Sequence, residues 1–239
     1  MPSTKPHGLS SRTIKEFALG RGATDCKVAD LALLHGLQTD PPNLCDGYRR
    51  AVSLAIRLSD AVLDAIDKSP TPLYERHYLT VNQQLDFLAH DVATLIQNAG
   101  GRALPLPASQ ILDRENLTSS LSHKAVAVAA GMGWQGKSLL TIHPEHGPRI
   151  RLVSVLTDLP LAVDTPLKNR CGDCTACADA CPVGAIRGVN TESHYETREE
   201  ALRFSRCVTR VTKVNPKLPN VSTFICGVCV RACPYGHTA

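Results

Sequence analysis

Residues 171–182 read CGDCTACADACP, and this stretch decides the C-terminal part of the fold. Its cysteines follow the pattern Cys-x2-Cys-x2-Cys-x3-Cys-Pro. The end of that pattern returns in CGVCVRACP at residues 226–234, and Cys207 stands alone between the two motifs. Eight of the ten cysteines of the chain therefore lie between Cys171 and Cys233. In a chain without an export signal, cysteines clustered in this way are more typical of metal binding than of disulfides.

The spacing indicates a particular kind of metal centre. Bacterial ferredoxins use the same run for [4Fe–4S] clusters, and the cysteine before proline serves the other cluster of the pair. We therefore predict two [4Fe–4S] clusters. The first takes Cys171, Cys174, Cys177 and Cys233, and the second takes Cys181, Cys207, Cys226 and Cys229. Two tetrahedral zinc sites are the alternative, although zinc rarely needs a third closely spaced cysteine or the Cys-Pro ending.

Composition separates the cysteine-rich region from the rest of the chain. The 239 residues include 26 basic and 22 acidic side chains, and 43% are hydrophobic. This length can form one medium domain and one small domain, which we expect at residues 1–165 and 166–239. Residues 1–165 hold only Cys26 and Cys45, which we interpret as ordinary thiols, and their charges balance. The whole basic excess lies in residues 166–239, where it would offset the negative charge of two clusters.

The N-terminus, MPSTKPHGLSSRTIKEF, has no apolar segment typical of a signal peptide. No apolar run approaches the ~18 residues that a membrane span needs. We therefore expect a soluble, cytoplasmic protein with no membrane partner. The mild basic excess does not by itself indicate nucleic acid.

Residues 1–165 predict a domain of mixed helices and strands. Thr13 and Glu16 stand at capping-box spacing, which favours a helix over residues 13–19. Apolar side chains at helical spacing predict a long helix over residues 81–96, preceded by a break at residues 69–72. Further helices are predicted at residues 60–68 and 124–130, and strands at residues 26–29, 51–58, 102–106 and 150–157.

One segment matches a phosphate-binding pattern. Residues 131–138 read GMGWQGKS and satisfy G-x4-G-K-[ST]. That pattern requires a buried strand before it and a long helix after it, whereas Pro144 follows Ser138 after only five residues. We therefore do not expect this segment to bind a nucleotide.

Several motifs in the same order resemble the epoxyqueuosine reductase family. They are HKA at residues 123–125, GMGWQGK at 131–137, PEHG at 144–147, LTDLPL at 156–161 and the first cysteine motif. The resemblance runs from about residue 120 to 236 and extends to reductive dehalogenases. It implies an α+β fold, with a nitroreductase-like N-terminal domain and a ferredoxin-like domain. It also implies two [4Fe–4S] clusters, cobalamin and reduction of an epoxide on a modified tRNA base.

The same resemblance implies a set of site residues. The loop residues that would face cobalamin are Gly133, Trp134, Gly136, Lys137 and Ser138. Trp134 could equally be a core residue, and Lys137 could be a solvated one. Where the family has an acidic proton donor, residues 73–78 of this chain read LYERHY. We therefore take His77 and Tyr78 as the candidate proton donors, with Glu75 as the nearest acidic side chain.

These observations favour an iron–sulfur oxidoreductase whose clusters deliver electrons to a site that reduces a small-molecule or nucleoside-like substrate. A ferredoxin or flavodoxin would be the external electron donor. Because the sequence ends soon after Cys233 and lacks the helical-repeat tail of many family members, tRNA is a doubtful partner. The alternative is a non-catalytic electron-transfer or corrinoid-reactivating protein.

Overall fold

The structure, a computed structural model, describes residues 8–237 and has a mixed α+β fold. Its α-helices are α1 (Ser11–Gly20), α2 (Asp60–Asp64), α3 (Pro72–Asn98), α4 (His123–Ala129), α5 (Ala176–Asp179), α6 (Arg198–Ala201), α7 (Phe204–Thr209) and α8 (Val228–Ala232). Its strands are β1 (Asp25–Asp30), β2 (Arg50–Arg57), β3 (Ala103–Pro105), β4 (Trp134–Gln135), β5 (Thr141–Ile142) and β6 (Ile150–Thr157). The predicted fold class is confirmed. The four strands predicted from β-branched and apolar runs are also confirmed, with their bounds shifted by two residues or less.

Four strands form one antiparallel sheet in the order β1-β2-β6-β3. The long strands β2 and β6 lie at its centre, with Leu54 opposite Val153 and Ser53 opposite Ser154. Both strands are buried along most of their length, so they read as nearly continuous apolar runs rather than as alternating ones. This burial explains why both strands could be predicted from the sequence.

Successive side chains of the sheet enter different parts of the core. On one face, Val52, Leu54 and Val155 pack with α1 and α3 in the largest apolar cluster. On the other face, Ala51 and Leu156 pack with α4. The alternation follows from the two-residue period of a strand. The result is three layers, with helices on both faces of the sheet.

Helix α3 begins nine residues earlier than predicted. Thr71 caps it by accepting a hydrogen bond from the backbone N–H of Tyr74, and Pro72 occupies the first turn. A proline at this position has no N–H to leave unsatisfied, and its fixed φ suits a helix start. The predicted break at residues 69–72 is therefore the helix start, and residues 73–78 lie in the first two turns of α3.

Two shorter helices also differ from prediction. Helix α1 is capped by Ser10, whose Oγ accepts the backbone N–H of Thr13, so the predicted cap at Thr13 is wrong. Thr13 instead lies in the first turn of the helix. Helix α2 ends at Asp64, and residues 65–68, which were predicted to be helical, form a turn followed by a bend. Among the described residues, no helix is both long enough and apolar enough to cross a membrane.

The segment that matches the phosphate-loop pattern forms a small hairpin. Strands β4 and β5 pair with Trp134 opposite Ile142, and neither strand was predicted. A Cβ added to Gly133 would lie 2.3 Å from the carbonyl oxygen of Ile142. The glycine is therefore required for closure of the β4–β5 hairpin. Two residues per strand are too few to give a periodic signal in the sequence.

Residues beyond 165 contain little regular structure and only a small apolar cluster of their own. Val221, Ile225, Val228 and Val230 join the main core next to α3. The cysteine-rich region is thus packed directly onto the N-terminal layers.

Candidate metal centre

The structure brings the cysteines together around two neighbouring cavities. The first cavity is lined by the first predicted set of four thiols. Its lining residues are Cys171, Cys174, Cys177 and Cys233, with Lys137, Ser138, Ile142, Pro234 and Tyr235. Cys177 lies in the short helix α5, and Cys233 caps the C-terminus of α8.

The second cavity is lined by the other set of four thiols. These are Cys181, Cys207, Cys226 and Cys229, with a surround of mainly apolar side chains. Ser138 lines both cavities. The tip of the β4–β5 hairpin therefore lies between the two sets of thiols.

Burial and mutual proximity hold the thiols in their neutral form when no cation is near them. Burial, followed by the nearby Cys171 and Cys174, raises the pKa of Cys177 to about 11. Burial, Cys226 and Cys181 raise the pKa of Cys207 to about 11. Thiolates at these positions would therefore need a positively charged iron–sulfur core to stabilise them.

The donor set fits an iron–sulfur cluster. Each cavity combines four soft sulfur donors with a largely apolar wall, which is the environment such clusters use. Among residues 8–237, no three His, Cys, Asp or Glu side chains converge closely enough to hold a single metal ion. The thiols instead line two open cavities, with four thiols at each. Cys26 lies in the main core, away from both cavities, and Cys45 is half-buried beside the second apolar cluster.

The hairpin residues that were predicted to face cobalamin lie against the first cavity. The indole N–H of Trp134 donates to Sγ of Cys171 at 3.4 Å. The Nζ of Lys137 donates to the carbonyl oxygen of Cys174 at 2.9 Å. Gly136 packs on the side chain of Ile142, just as Gly133 packs on its backbone. The glycines thus serve the hairpin's own packing, and the two side chains serve the thiol cavity.

Close backbone contacts join the end of the chain to the N-terminal layers. A Cβ on Gly147 would lie 1.9 Å from the carbonyl oxygen of Tyr235. Arg149 is fully buried, and its guanidinium donates to the carboxylates of Asp60 and Asp64 and contacts the ring of His237. These contacts fix the position of the last cysteine relative to the hairpin.

The start of α3 contacts the loop that carries the second set of thiols. Oε1 of Glu75 accepts hydrogen bonds from the backbone N–H groups and the hydroxyl groups of Ser222 and Thr223. Burial alone would raise the pKa of Glu75, but these hydrogen bonds outweigh it and lower the pKa. Glu75 is therefore a carboxylate anchor for the cysteine-rich region, and it is not the proton donor that its position in the sequence suggested.

The two candidate proton donors point to different places. Nε2 of His77 accepts the backbone N–H of Ser59 at 3.0 Å, and burial lowers its pKa. His77 is thus a neutral acceptor at the start of α2. The phenol oxygen of Tyr78 lies 3.0 Å from Oγ of Ser109 and 3.1 Å from Nη2 of Arg151. The guanidinium of Arg151 also lies 4.3 Å from the centre of the Tyr78 ring.

Tyr78 is the more acidic of the phenols on α3. Burial alone would raise its pKa, but the charge of Arg151 and hydrogen bonds with Ser109 and Asn82 outweigh burial and lower it. By contrast, burial raises the pKa of Tyr74, one turn earlier, well above its usual range. The arrangement at Tyr78 suits a group that gives up a proton.

Sequence analysis did not identify Arg151 and Lys124 as site residues. Arg151 lies within the apolar strand β6, and it could not be linked to Tyr78 without knowing how α3 packs on the sheet. Lys124 is exposed to solvent. The surrounding protein, followed by the charges of Arg198 and Arg151, lowers the pKa of its ammonium group. The thiols Cys207 and Cys229 of the second cavity oppose this shift.

Sequence comparison identifies the cysteine-rich region. Residues 170–236 match the family of 4Fe-4S double cluster binding domains, which confirms the prediction of two clusters. An epoxyqueuosine reductase of Leadbetterella byssophila is 27% identical over 227 residues, covering 89% of this chain and 67% of that protein. An epoxyqueuosine reductase of Bacillus subtilis is 33% identical over 124 residues, covering 49% of this chain and 30% of that protein.

Solved structures show the same fold. A reductive dehalogenase, described in terms of B12-dependent dehalogenation, superposes with a TM-score of 0.71 at 18% identity, covering 98% of this chain and 34% of that one. An epoxyqueuosine reductase in complex with an epoxyqueuosine-modified tRNA stem loop superposes with a TM-score of 0.59 at 23% identity, covering 93% of this chain and 64% of that one. The chain spans about two thirds or less of the length of each of these four proteins. These findings confirm the resemblance and the fold class predicted from the sequence.

Proposed function

We propose that this relative of the epoxyqueuosine reductases is an iron–sulfur oxidoreductase that delivers electrons from two [4Fe–4S] clusters to a reaction site on the N-terminal layers. The observation that carries the proposal is the pair of four-thiol cavities that share Ser138. The second of these cavities is bounded by the loop that packs on the start of α3. Two redox centres in contact through one residue are suited to passing single electrons.

The reaction site is proposed to lie around Tyr78, Arg151 and Lys124. Tyr78 lies one helical turn after Tyr74. The ring of Tyr74 packs against Gly227, which lies between Cys226 and Cys229 of the second cavity, so closely that a Cβ added to Gly227 would lie 2.8 Å from the ring. Arg151 holds the phenol of Tyr78 and favours loss of its proton. Lys124 supplies a further positive charge that would attract an anionic part of a substrate.

Cobalamin is proposed as the second cofactor. Support comes from the resemblance and from the likeness in fold to a reductive dehalogenase described as B12-dependent. When bound, a corrinoid supplies the two-electron chemistry that single-electron clusters lack. Because the β4–β5 hairpin lies against the first thiol cavity, the contacts proposed for cobalamin are at the Tyr78 side of the molecule and not at the hairpin.

The substrate is proposed to be an electrophilic small molecule or nucleoside that accepts two electrons and a proton donated by Tyr78. An aryl halide would then release halide, whereas an epoxide would take a second proton from solvent and release its oxygen as water. An epoxyqueuosine-modified tRNA stem loop is bound by a protein of the same fold. It is therefore the first macromolecular substrate to test, next to free nucleoside epoxides and aryl halides. A ferredoxin or flavodoxin is proposed as the external electron donor.

One preparation tests these proposals together. Protein purified anaerobically would be analysed for iron, acid-labile sulfide and zinc, then mixed with hydroxocobalamin and reduced by dithionite before substrate is added. We expect about eight iron atoms per chain, a shifted cobalamin spectrum and product formation. Zinc in place of iron would contradict the cluster proposal. Cluster-loaded protein that leaves the cobalamin spectrum unchanged would favour the electron-carrier alternative.

A further inference from the structure

We propose that the β4–β5 hairpin raises the reduction potential of the cluster in the first cavity through the indole N–H of Trp134 and the ammonium group of Lys137. This inference rests on the proposed function, because it requires a cluster in that cavity. It assigns a role to residues 131–138, which match the phosphate-loop pattern and are not part of the proposed reaction site.

Trp134 presents a fixed hydrogen-bond donor to one thiol of the cavity. Its Nε1–H lies 3.4 Å from Sγ of Cys171, and its ring is fully buried. The ring of Tyr235 packs edge-on against it at 4.9 Å, and Ile142 lies opposite it in the hairpin. A donor held in this way stabilises the thiolate most when the cluster carries its extra electron.

Lys137 brings a positive charge into the wall of the same cavity. Its side chain is only 4% exposed and lines the cavity. Within the described residues, its hydrogen bond goes to the carbonyl oxygen of Cys174, and no carboxylate lies within 4.0 Å of its nitrogen. Burying an ammonium group without a counter-ion is costly. Four thiolates around a cluster would provide the missing negative charge.

The charge change on reduction determines the direction of the effect. One electron from a one-electron donor enters the iron of the cluster, and no bond forms or breaks. The charge of the cluster with its four thiolates goes from about −2 to about −3. The ammonium of Lys137 and the N–H of Trp134 both stabilise the more negative state, so both favour reduction.

The resemblance to a phosphate loop then has a chemical reason. A phosphate loop places a lysine and closely packed glycines around an anion. In this chain, the same residue types hold Lys137 beside an anionic cluster site. The glycines allow the hairpin to close on Ile142.

The test is an anaerobic redox titration followed by electron paramagnetic resonance. The variants are Trp134→Phe, which keeps a ring and removes the donor, and Lys137→Met, which removes the charge. Lys137→Arg is the variant expected to restore the wild-type value. Lys168→Met is the matched control, because Lys168 is exposed and lies three residues from Cys171. The signal of the first cluster is assigned by its loss in Cys174→Ser.

We expect each test variant to lower the equilibrium constant for one-electron reduction of the first cluster about tenfold, which corresponds to ~59 mV. The control should change it less than twofold. Unchanged potentials in both variants would overturn the inference. Loss of the first cluster from both variants would also overturn it, since the two side chains would then be needed to hold the cluster and would not merely tune it. Absence of any cluster from the wild-type protein would instead overturn the proposed function.

Discussion

Tyr78 shows how one neighbour can change the chemistry of a side chain. Burial opposes ionisation of the phenol, but Arg151, 3.1 Å from the phenol oxygen, together with hydrogen bonds to Ser109 and Asn82 outweighs burial and lowers the pKa. A phenol held in this way can donate a proton during a reduction, and its conjugate base is stabilised by the guanidinium.

Replacement of Tyr78 tests this role directly. We expect Tyr78→Phe to lower the rate of product formation about 10²–10⁴-fold, as loss of a general acid does, with iron content unchanged. Tyr48→Phe is the matched control, because Tyr48 packs under Arg102 away from this site. A Tyr78→Phe protein that turns over at the wild-type rate would rule out Tyr78 as the donor.

The pH profile separates a positioning role of Arg151 from a merely structural one. If Tyr78 donates the proton, the rate falls as pH rises through its pKa. Because Arg151 lowers that pKa, Arg151→Met should move the fall to higher pH. Rates measured from pH 6 to 11 on the wild-type protein and the variant check the direction. A fall at the same pH in both proteins would show that Arg151 does not tune the phenol.

Glu75 provides a prediction about stability. Its pKa is lowered in the folded state, so its contribution is fully present above the usual glutamate value and is lost only as pH falls through the lower folded value. We expect Glu75→Gln to lower the free energy of unfolding by about 1–3 kcal/mol, as expected for weakened bonds to a charged group. The loss should be equal at pH 6 and pH 8.

Anaerobic urea titration followed by circular dichroism measures this change. Glu145→Gln is the control, because the carboxylate of Glu145 is 81% exposed. A loss of stability that disappears at pH 8 would contradict the assignment of Glu75 as a carboxylate anchor.

At the level of elements, sequence analysis succeeded where side chains repeat and failed where they do not. The apolar period of α3 is clear from Val81 to Ile96, but its first turns carry Glu75, which bonds to the cysteine-rich loop, and His77, which bonds to the start of α2. Such tertiary contacts leave no periodic signal. The β4–β5 hairpin was not predicted for a different reason, since four paired residues are too few to reveal a strand.

The β4–β5 hairpin gives a prediction about one glycine. The added Cβ of Gly133→Ala would lie 2.3 Å from a backbone oxygen, so the hairpin must open. Because the hairpin forms part of the first cavity, we expect iron to fall from about eight to about four atoms per chain. Gly20→Ala is the control, since its Cβ would meet nothing within 4 Å. Unchanged iron with loss of cobalamin binding would instead assign Gly133 to the corrinoid.

For the whole molecule, local motifs could be predicted and long-range contacts could not. The close spacing of Cys171, Cys174 and Cys177 predicts that they share one turn, and the ferredoxin pattern predicts which distant cysteine completes each set. The position of Ser138 between the two cavities and the contact of Glu75 with the second loop depend on how distant segments pack. The same holds for Arg151, which lies 73 residues from Tyr78 in the chain.

Because the cysteines line two separate cavities, we expect the two clusters to be removable one at a time. Because Cys174 lines only the first cavity and Cys207 only the second, each serine variant should lose a different cluster. Each should retain about four of about eight iron atoms, and the double variant should retain almost none. Cys45→Ser, a half-buried thiol that lines neither cavity, is the control. Iron analysis gives the number of clusters, and the resonance signals of the reduced proteins show which one remains. If both single variants lost all their iron, the two cavities would form one cooperative unit and could not be loaded separately.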